Sequence, residues 1–266
     1  MCRYGVSVSR GWLPWVKMMT DPRGVAHRPY PPPPGPWVMA QTWHDLLFAH
    51  WPLPVEELRR RVPPQLNLDT FDGSAWVGVV PFRMSGIRPR HLPAVPWLSA
   101  FLELNVRTYV TVGGLSGVYF FSLDAANPVA VALARAIFKL PYFRARMRLD
   151  RRDGGVLYTS RRTHAGAPRA ELRAWYRPTG AAFSAIAGSL EWWLTERYCL
   201  YTVDRRGRVV RTHIHHPAWR LQPAEAAFEL DTMAASHALR LAPTEPLLHF
   251  ARRQDVVVWS PGRLSN

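Results

Sequence analysis

Lysine is nearly absent from this 266-residue chain: Lys17 and Lys139 stand against 32 arginines. Any chemistry that needs an amine nucleophile therefore has two candidates, and only Lys139 falls in the densely patterned part of the sequence. Cysteine is equally scarce. Cys2 and Cys199 cannot build a disulfide scaffold, which points to a reducing compartment and a cytoplasmic protein. No apolar run approaches the roughly 18 residues that a membrane helix needs, so no membrane partner is expected. The G-x-S-x-G elbow, the Walker loop, the dinucleotide fingerprint and the HExxH pair are all missing, so neither a metal nor a cofactor is expected. Acidic side chains are few, 19 against 34 basic ones, leaving a net charge of +15. That surplus does not amount to a nucleic-acid footprint. It is spread in doublets and triplets, such as Arg59-Arg60-Arg61, Arg151-Arg152 and Arg205-Arg206, and no recognition motif accompanies it.

Apolar residues make up 48% of the chain and charged ones 20%, which supports a full hydrophobic core. Residues 1–38 differ from the rest. They hold the run Tyr30-Pro31-Pro32-Pro33-Pro34-Gly35-Pro36, which favours extended polyproline II and repeats with no helix or strand period. They read as a disordered tail, or as upstream sequence before a start at Met39, and lie outside the fold on either reading. Residues 39–266 form a single domain, rich in strands with a few short helices. Strands are expected at 74–84, 101–111, 117–123, 156–163, 171–176, 198–203, 209–214 and 256–259. Gly113-Gly114 is a hairpin signal, and Asn127-Pro128 opens a helix running to about Leu140, with Asn as cap and Pro at the first helical position. Shorter helices are expected at 55–62 and 189–197. Many antiparallel strands and few helices indicate a mainly β (α+β), barrel-like domain.

Chemistry concentrates at Glu103-Leu104-Asn105-Val106-Arg107-Thr108-Tyr109-Val110. Strand alternation puts Leu104, Val106, Thr108 and Val110 on one face and Glu103, Asn105, Arg107 and Tyr109 on the other. The polar row is either a solvated outer face or the lining of a barrel cavity. In a cavity, Glu103 and Arg107 can pair and orient a carbonyl- or carboxylate-bearing ligand. Lys139, at a helix end, is either a reactive amine or a surface cation complementing the helix dipole. His213 and His215 share a strand face, but no third metal ligand accompanies them; with His216 they read as hydrogen-bonded structural groups. Cys199, in an aromatic strand, reads as a packed, inert thiol.

Residues 41–259 resemble the YqjF-like family of bacterial proteins. The matching segments include Leu47-Phe48-Ala49-His50-Trp51-Pro52, Leu68-Asp69-Thr70-Phe71-Asp72-Gly73, Val80-Pro81-Phe82-Arg83-Met84, the strand from Glu103 to Val110, and Glu196-Arg197-Tyr198-Cys199-Leu200-Tyr201. The family looks related to the acetoacetate decarboxylase-like superfamily. That relation implies a closed, cone-shaped antiparallel β-barrel with an interior pocket and a few peripheral helices. The decarboxylase pattern ends in two lysines, one of them the Schiff-base nucleophile. Set against it, Ala134 to Phe143 align without a gap, and the lysine positions fall on Tyr142 and Phe143. A phenol cannot condense with a ketone, so acetoacetate decarboxylation is not expected. The resemblance leaves a pocket in which Glu103 and Tyr142 are the candidate catalytic residues and Asn105, Arg107, Tyr109 and Lys139 the candidate ligand-binding ones. The expected partner is a small molecule, and a homo-oligomer is compatible with this reading. The alternative is a non-catalytic ligand-sensing or interaction scaffold.

Overall fold

A computed structural model describes residues 24–204 and 206–264. Its elements, in chain order, are β1 (Met39–Leu53), α1 (Val55–Arg59), β2 (Asn67–Leu68), β3 (Ala75–Pro89), β4 (Phe101–Val112), β5 (Leu115–Ala125), α2 (Pro128–Ile137), β6 (Tyr142–Arg152), β7 (Gly155–Arg162), β8 (Glu171–Pro178), α3 (Leu190–Thr195), β9 (Cys199–Val203), β10 (Val209–His215), β11 (Gln222–Asp231), β12 (Leu247–Val258) and β13 (Gly262–Arg263).

Nine strands close a ring in the order β5-β6-β7-β8-β11-β12-β1-β3-β4 and back to β5. Eight of its nine contacts are antiparallel; β5 and β6 run parallel, with Leu123 opposite Tyr142. A second closure uses β9 and β10. β9 pairs with β5 in parallel, and β10 reaches β12 through Ile214 and His215. The expected closed barrel is present, but it is mixed rather than purely antiparallel. The physical reason is α2, which carries the chain back so that β6 enters alongside β5 in the same direction.

Strands β1, β3 and β4 serve both closures, so both of their faces are covered. On one side, Leu47, Ala49, Val77, Val79, Leu104 and Val106 pack with Tyr158, Leu172 and Tyr176 in the main core. On the other, Leu46, Phe48, Val80, Phe82 and Met84 pack with Trp219 and Leu221. Local pattern does not mark β1 as a strand, because the short apolar run Leu46–Ala49 sits between His44-Asp45 and His50 with no regular alternation, and only the family resemblance picks the segment out.

Helix α2 forms as its sequence dictates. The Asn127 side-chain oxygen accepts from the N–H groups of Val129 and Ala130, both at 3.0 Å, and Pro128 takes the position where no N–H is needed. It stops at Ile137, short of the expected Leu140, because Lys139 turns into the left-handed region at φ 56°.

Residues 24–38 correct one expectation. They pack against the barrel instead of lying outside it. Arg28 is buried, donating to the Ile214 carbonyl and to His215 Nδ1, with its guanidinium 4.1 Å from the centre of the Tyr198 ring. Trp37 is buried beside Val257 and Trp259, and the Trp259 indole donates to the Gly35 carbonyl. The prolines hold this segment extended, and its backbone carbonyls and aromatic rings supply the contacts that a strand ladder would otherwise provide. Residues 1–23, with Cys2 and Lys17, lie outside the described residues.

Candidate functional site

The second closure encloses a cavity of about 340 Å³, walled mostly by apolar side chains of β1, β3, β4, β5, β9 and β10. Glu103, Asn105 and Arg107 all line it, and Leu104 and Val106 point the other way into the main core. The alternation read from the sequence therefore holds, and the polar row faces a cavity, not water. Glu103 is 3% exposed and Asn105 5%.

Tyr142 reaches the same cavity from β6. The parallel register of β5 and β6 sets Tyr142 beside Leu123, and β5 is also the neighbour of β4. The Tyr142 hydroxyl consequently donates to Glu103 Oε2 at 2.8 Å. Burial pushes the Glu103 carboxyl up to about 8; the hydrogen bond from Tyr142 works against this shift, and the charge of Asp124 adds to it. Burial, with the neighbouring Glu103, holds the Tyr142 phenol well above its ordinary range. Both shifts favour the protonated forms, so the pair leans toward two neutral acids sharing one hydrogen bond.

The expected Glu103–Arg107 ion pair does not form. Among the described residues, Arg107 donates to the Leu194 carbonyl at 3.3 Å and to the Tyr109 hydroxyl at 3.4 Å. Its acceptors come instead from α3, through the Leu194 carbonyl, and from Tyr109 on its own strand. Arg107 Nε, Asn105 Oδ1 and Thr212 Oγ1 are buried with no hydrogen-bond partner in the protein. Such atoms carry a desolvation cost that a polar ligand group would relieve.

Two candidate residues fall elsewhere. Tyr109 is fully buried beside the cavity without lining it; its hydroxyl lies 2.7 Å from His50 Nε2, and its ring packs on Trp193. Its hydroxyl accepts from Arg107 at 3.4 Å, and Trp193 of α3 covers its ring. Lys139 is exposed. Its ammonium donates to the Ala136 carbonyl at 2.5 Å and faces an outer groove shared with Arg135, Arg144, Arg206 and Arg208. Its left-handed backbone turns it away from the barrel, and among the described residues no lysine lines the cavity.

Sequence reasoning missed Gln41, Arg197 and Thr212, which come to the cavity from β1, β9's approach and β10. Arg197 is held by Asp69 Oδ2 at 2.6 Å. Nothing local marks these residues, since each lies beside other polar groups: Gln41 next to Thr42, Arg197 next to Glu196, and Thr212 between Arg211 and His213. His216 also lines the cavity; its Nδ1 lies 3.1 Å from Gln254 Nε2 and its ring stacks on Tyr198. His215 engages Arg28, and Cys199 is a buried thiol near the Ser116 carbonyl. Among the described residues, no group of three or more His, Cys, Asp or Glu side chains is placed to hold a metal ion, and no helix is long and apolar enough to cross a membrane.

Comparison with known proteins agrees with this architecture. The DUF2071 family, an uncharacterized conserved protein family, matches residues 40–255. The uncharacterized protein YqjF of Bacillus subtilis (strain 168) is 47% identical over 227 residues, covering 85% of this chain and 93% of that protein. Among solved structures, acetoacetate decarboxylase from Legionella pneumophila is similar at a TM-score of 0.57 and 14% identity, covering 98% of both chains. The enduracididine biosynthesis enzyme MppR complexed with pyruvate is similar at a TM-score of 0.59 and 13% identity, covering 92% of this chain and 95% of that one. At such identities the likeness is one of fold.

Proposed function

Given that the chain belongs to the DUF2071 family and has the acetoacetate decarboxylase-like fold, we propose that it binds a small carbonyl- or carboxylate-containing molecule in the barrel cavity. One observation carries this reading. Glu103, Asn105, Arg107, Thr212 and Tyr142 converge on a mostly apolar cavity, and three of them keep buried polar atoms without protein partners. Arg107 would anchor a carboxylate. Neutral Glu103, steadied by Tyr142, would donate a hydrogen bond to a carbonyl oxygen or act as general acid.

The pyruvate of the MppR complex is a small oxo acid, and this supports the ligand class. A Schiff-base route is not proposed, because Tyr142 occupies the place where the resemblance puts a lysine and Lys139 faces the outer groove. The competing reading is a ligand sensor that uses the same cavity without chemistry; the neutral, mutually bonded acid pair, a poised proton donor, favours the chemical one.

The test is a thermal-shift screen of oxo acids and carboxylic acids on the intact chain, repeated on Glu103→Gln and Arg107→Ala. A ligand of this cavity raises the wild-type midpoint and loses most of that shift in Arg107→Ala. A ligand that shifts all three proteins equally places its site elsewhere and refutes the reading. Turnover of a bound oxo acid, absent in Glu103→Gln, separates an enzyme from a sensor.

A further inference from the structure

We infer that the ligand is amphiphilic: a carboxylic acid whose head lies at Arg107, where the buried Nε lacks an acceptor, and whose apolar tail of several carbons leads out between α2 and the segment 90–99. This rests on the cavity reading above and adds the class of molecule.

The inference starts from an inversion of the usual order of a surface. The polar groups of the cavity are its buried part, and the exposed part of its lining is apolar. Val95, Leu133 and Ile137 line the cavity and are 43%, 47% and 56% exposed. A folded chain ordinarily buries such residues and leaves polar ones at the rim. Helix α2 makes the rim continuous. Val129, Leu133 and Ile137 recur every four residues and so form one stripe, all of it exposed, and Arg135 is the only charged side chain in the ten residues of the helix. Trp97, 65% exposed, extends the same surface, and the Asn127 amide holds its loop to the helix by donating to the Trp97 carbonyl at 3.0 Å.

Apart from the polar groups named above, the lining is apolar and includes Phe101, Phe138 and Leu123. A ligand as small as pyruvate would give Arg107 Nε its acceptor and leave this length of apolar wall and rim uncovered. A tail that follows the wall removes it from water, at a gain set by each methylene. The outer groove near Lys139, where arginines stand beside apolar side chains such as Val131 and Phe143, does not include Arg107, so dependence on Arg107 separates the two sites.

Titration of the intact chain with straight-chain carboxylates from butanoate to dodecanoate at pH 7 tests the inference. The expected result is a Kd that falls about three- to fourfold per added methylene until the tail reaches the rim. Leu133→Ser combined with Ile137→Ser should flatten the top of the series, bringing dodecanoate to the affinity of a shorter acid. Arg107→Ala should weaken every member. Both exposed rim changes should leave the unfolding midpoint in place. If affinity does not vary with chain length yet still depends on Arg107, the cavity reading stands and the amphiphile is refuted. Long acids that bind equally well to Arg107→Ala occupy the outer patch alone, which also overturns the inference. A wild type that forms a dimer by light scattering, and a rim variant that does not, would assign the stripe to a second copy of the chain and overturn it too. If neither pyruvate nor any acid binds, both readings fall together.

Discussion

Replacing Glu103 by Gln changes how stability depends on pH more than it changes stability itself. The carboxyl is pushed from its ordinary 4.5 up to about 8, chiefly by burial. Between those two values the folded protein keeps the proton and the unfolded chain has lost it. Folded molecules then bind more protons than unfolded ones, so unfolding becomes easier as pH rises through this window. Below about pH 4.5 both states are protonated and the carboxyl costs nothing. Above about pH 8 the folded state must hold a buried carboxylate, a difference of roughly 5 kcal/mol. Gln copies the neutral carboxyl: its amide oxygen accepts from Tyr142, and it cannot ionise. Glu103→Gln should therefore match wild type within about 1 kcal/mol at pH 5 and exceed it by several kcal/mol at pH 9. Urea unfolding of both proteins, followed by tryptophan fluorescence from pH 5 to 9, measures the difference, in which all other titrations cancel. A constant difference across that range, or a wild type that gains on the variant as pH rises, would refute the argument.

Other expectations follow from the same structure. Tyr142→Phe removes the hydrogen bond that holds the Glu103 value down, so the fall in stability should start at the same pH as in wild type and extend to higher pH, as the same unfolding series would show. Asp124→Asn leaves the Arg162 guanidinium, bound through two 2.7 Å contacts and almost fully buried, without its anion; a loss of about 3–5 kcal/mol in urea unfolding is expected. Gly117→Ala would bring a Cβ to 2.6 Å from the Cys199 carbonyl oxygen, in the backbone of the neighbouring strand, and should cost more than 1 kcal/mol with a clear drop in Tm. Arg28→Ala should speed hydrogen exchange in residues 24–38 more than in β7 and β8, since it removes the anchor between that segment and β10.

Elements announced by local chemistry were legible in the sequence. Gly113-Gly114 and Asn127-Pro128 specify a turn and a helix start whatever surrounds them, and both are where the residues indicate. The pairing of Glu103, Asn105 and Arg107 on one face was legible because alternation is a property of the strand alone. Which side of the sheet held water was not. β4 separates a core from a cavity, so neither of its faces is solvated, and polarity ceases to mean exposure. β11 escaped for a different reason. Its Pro223-Ala-Glu-Ala-Ala run has little intrinsic strand preference, and it is held in place by β8 along seven paired positions. The prolines of residues 31–36 pointed away from regular structure correctly, yet irregular chain still packs when a tryptophan and an arginine anchor it. The Glu103–Tyr142 contact joins residues 39 apart and depends on a parallel register that no local signal encodes.

The arrangement at residues 142 and 143 gives the scarcity of lysine a structural meaning. The resemblance to the decarboxylases places two lysines there, but a strand sends successive side chains to opposite faces. Only Tyr142 enters the cavity. Phe143 lies on the other side, with the Arg162 guanidinium 4.2 Å from its ring centre, and Arg162 is itself bound to Asp124. Restoring a lysine at 143 would set a second cation against Arg162, with no route to the ligand. Restoring one at 142 would turn a neutral hydrogen-bonded pair into a buried ammonium facing Glu103, which would then ionise and lose its proton-donating role. The two solutions are therefore not one substitution apart. A lysine site supplies a nucleophile and an electron sink; the Glu103–Tyr142 pair would supply protons and no charge. Chemistry there would have to stabilise a carbonyl oxygen by hydrogen bonding, with Arg107 and Arg197 as cations of the cavity wall.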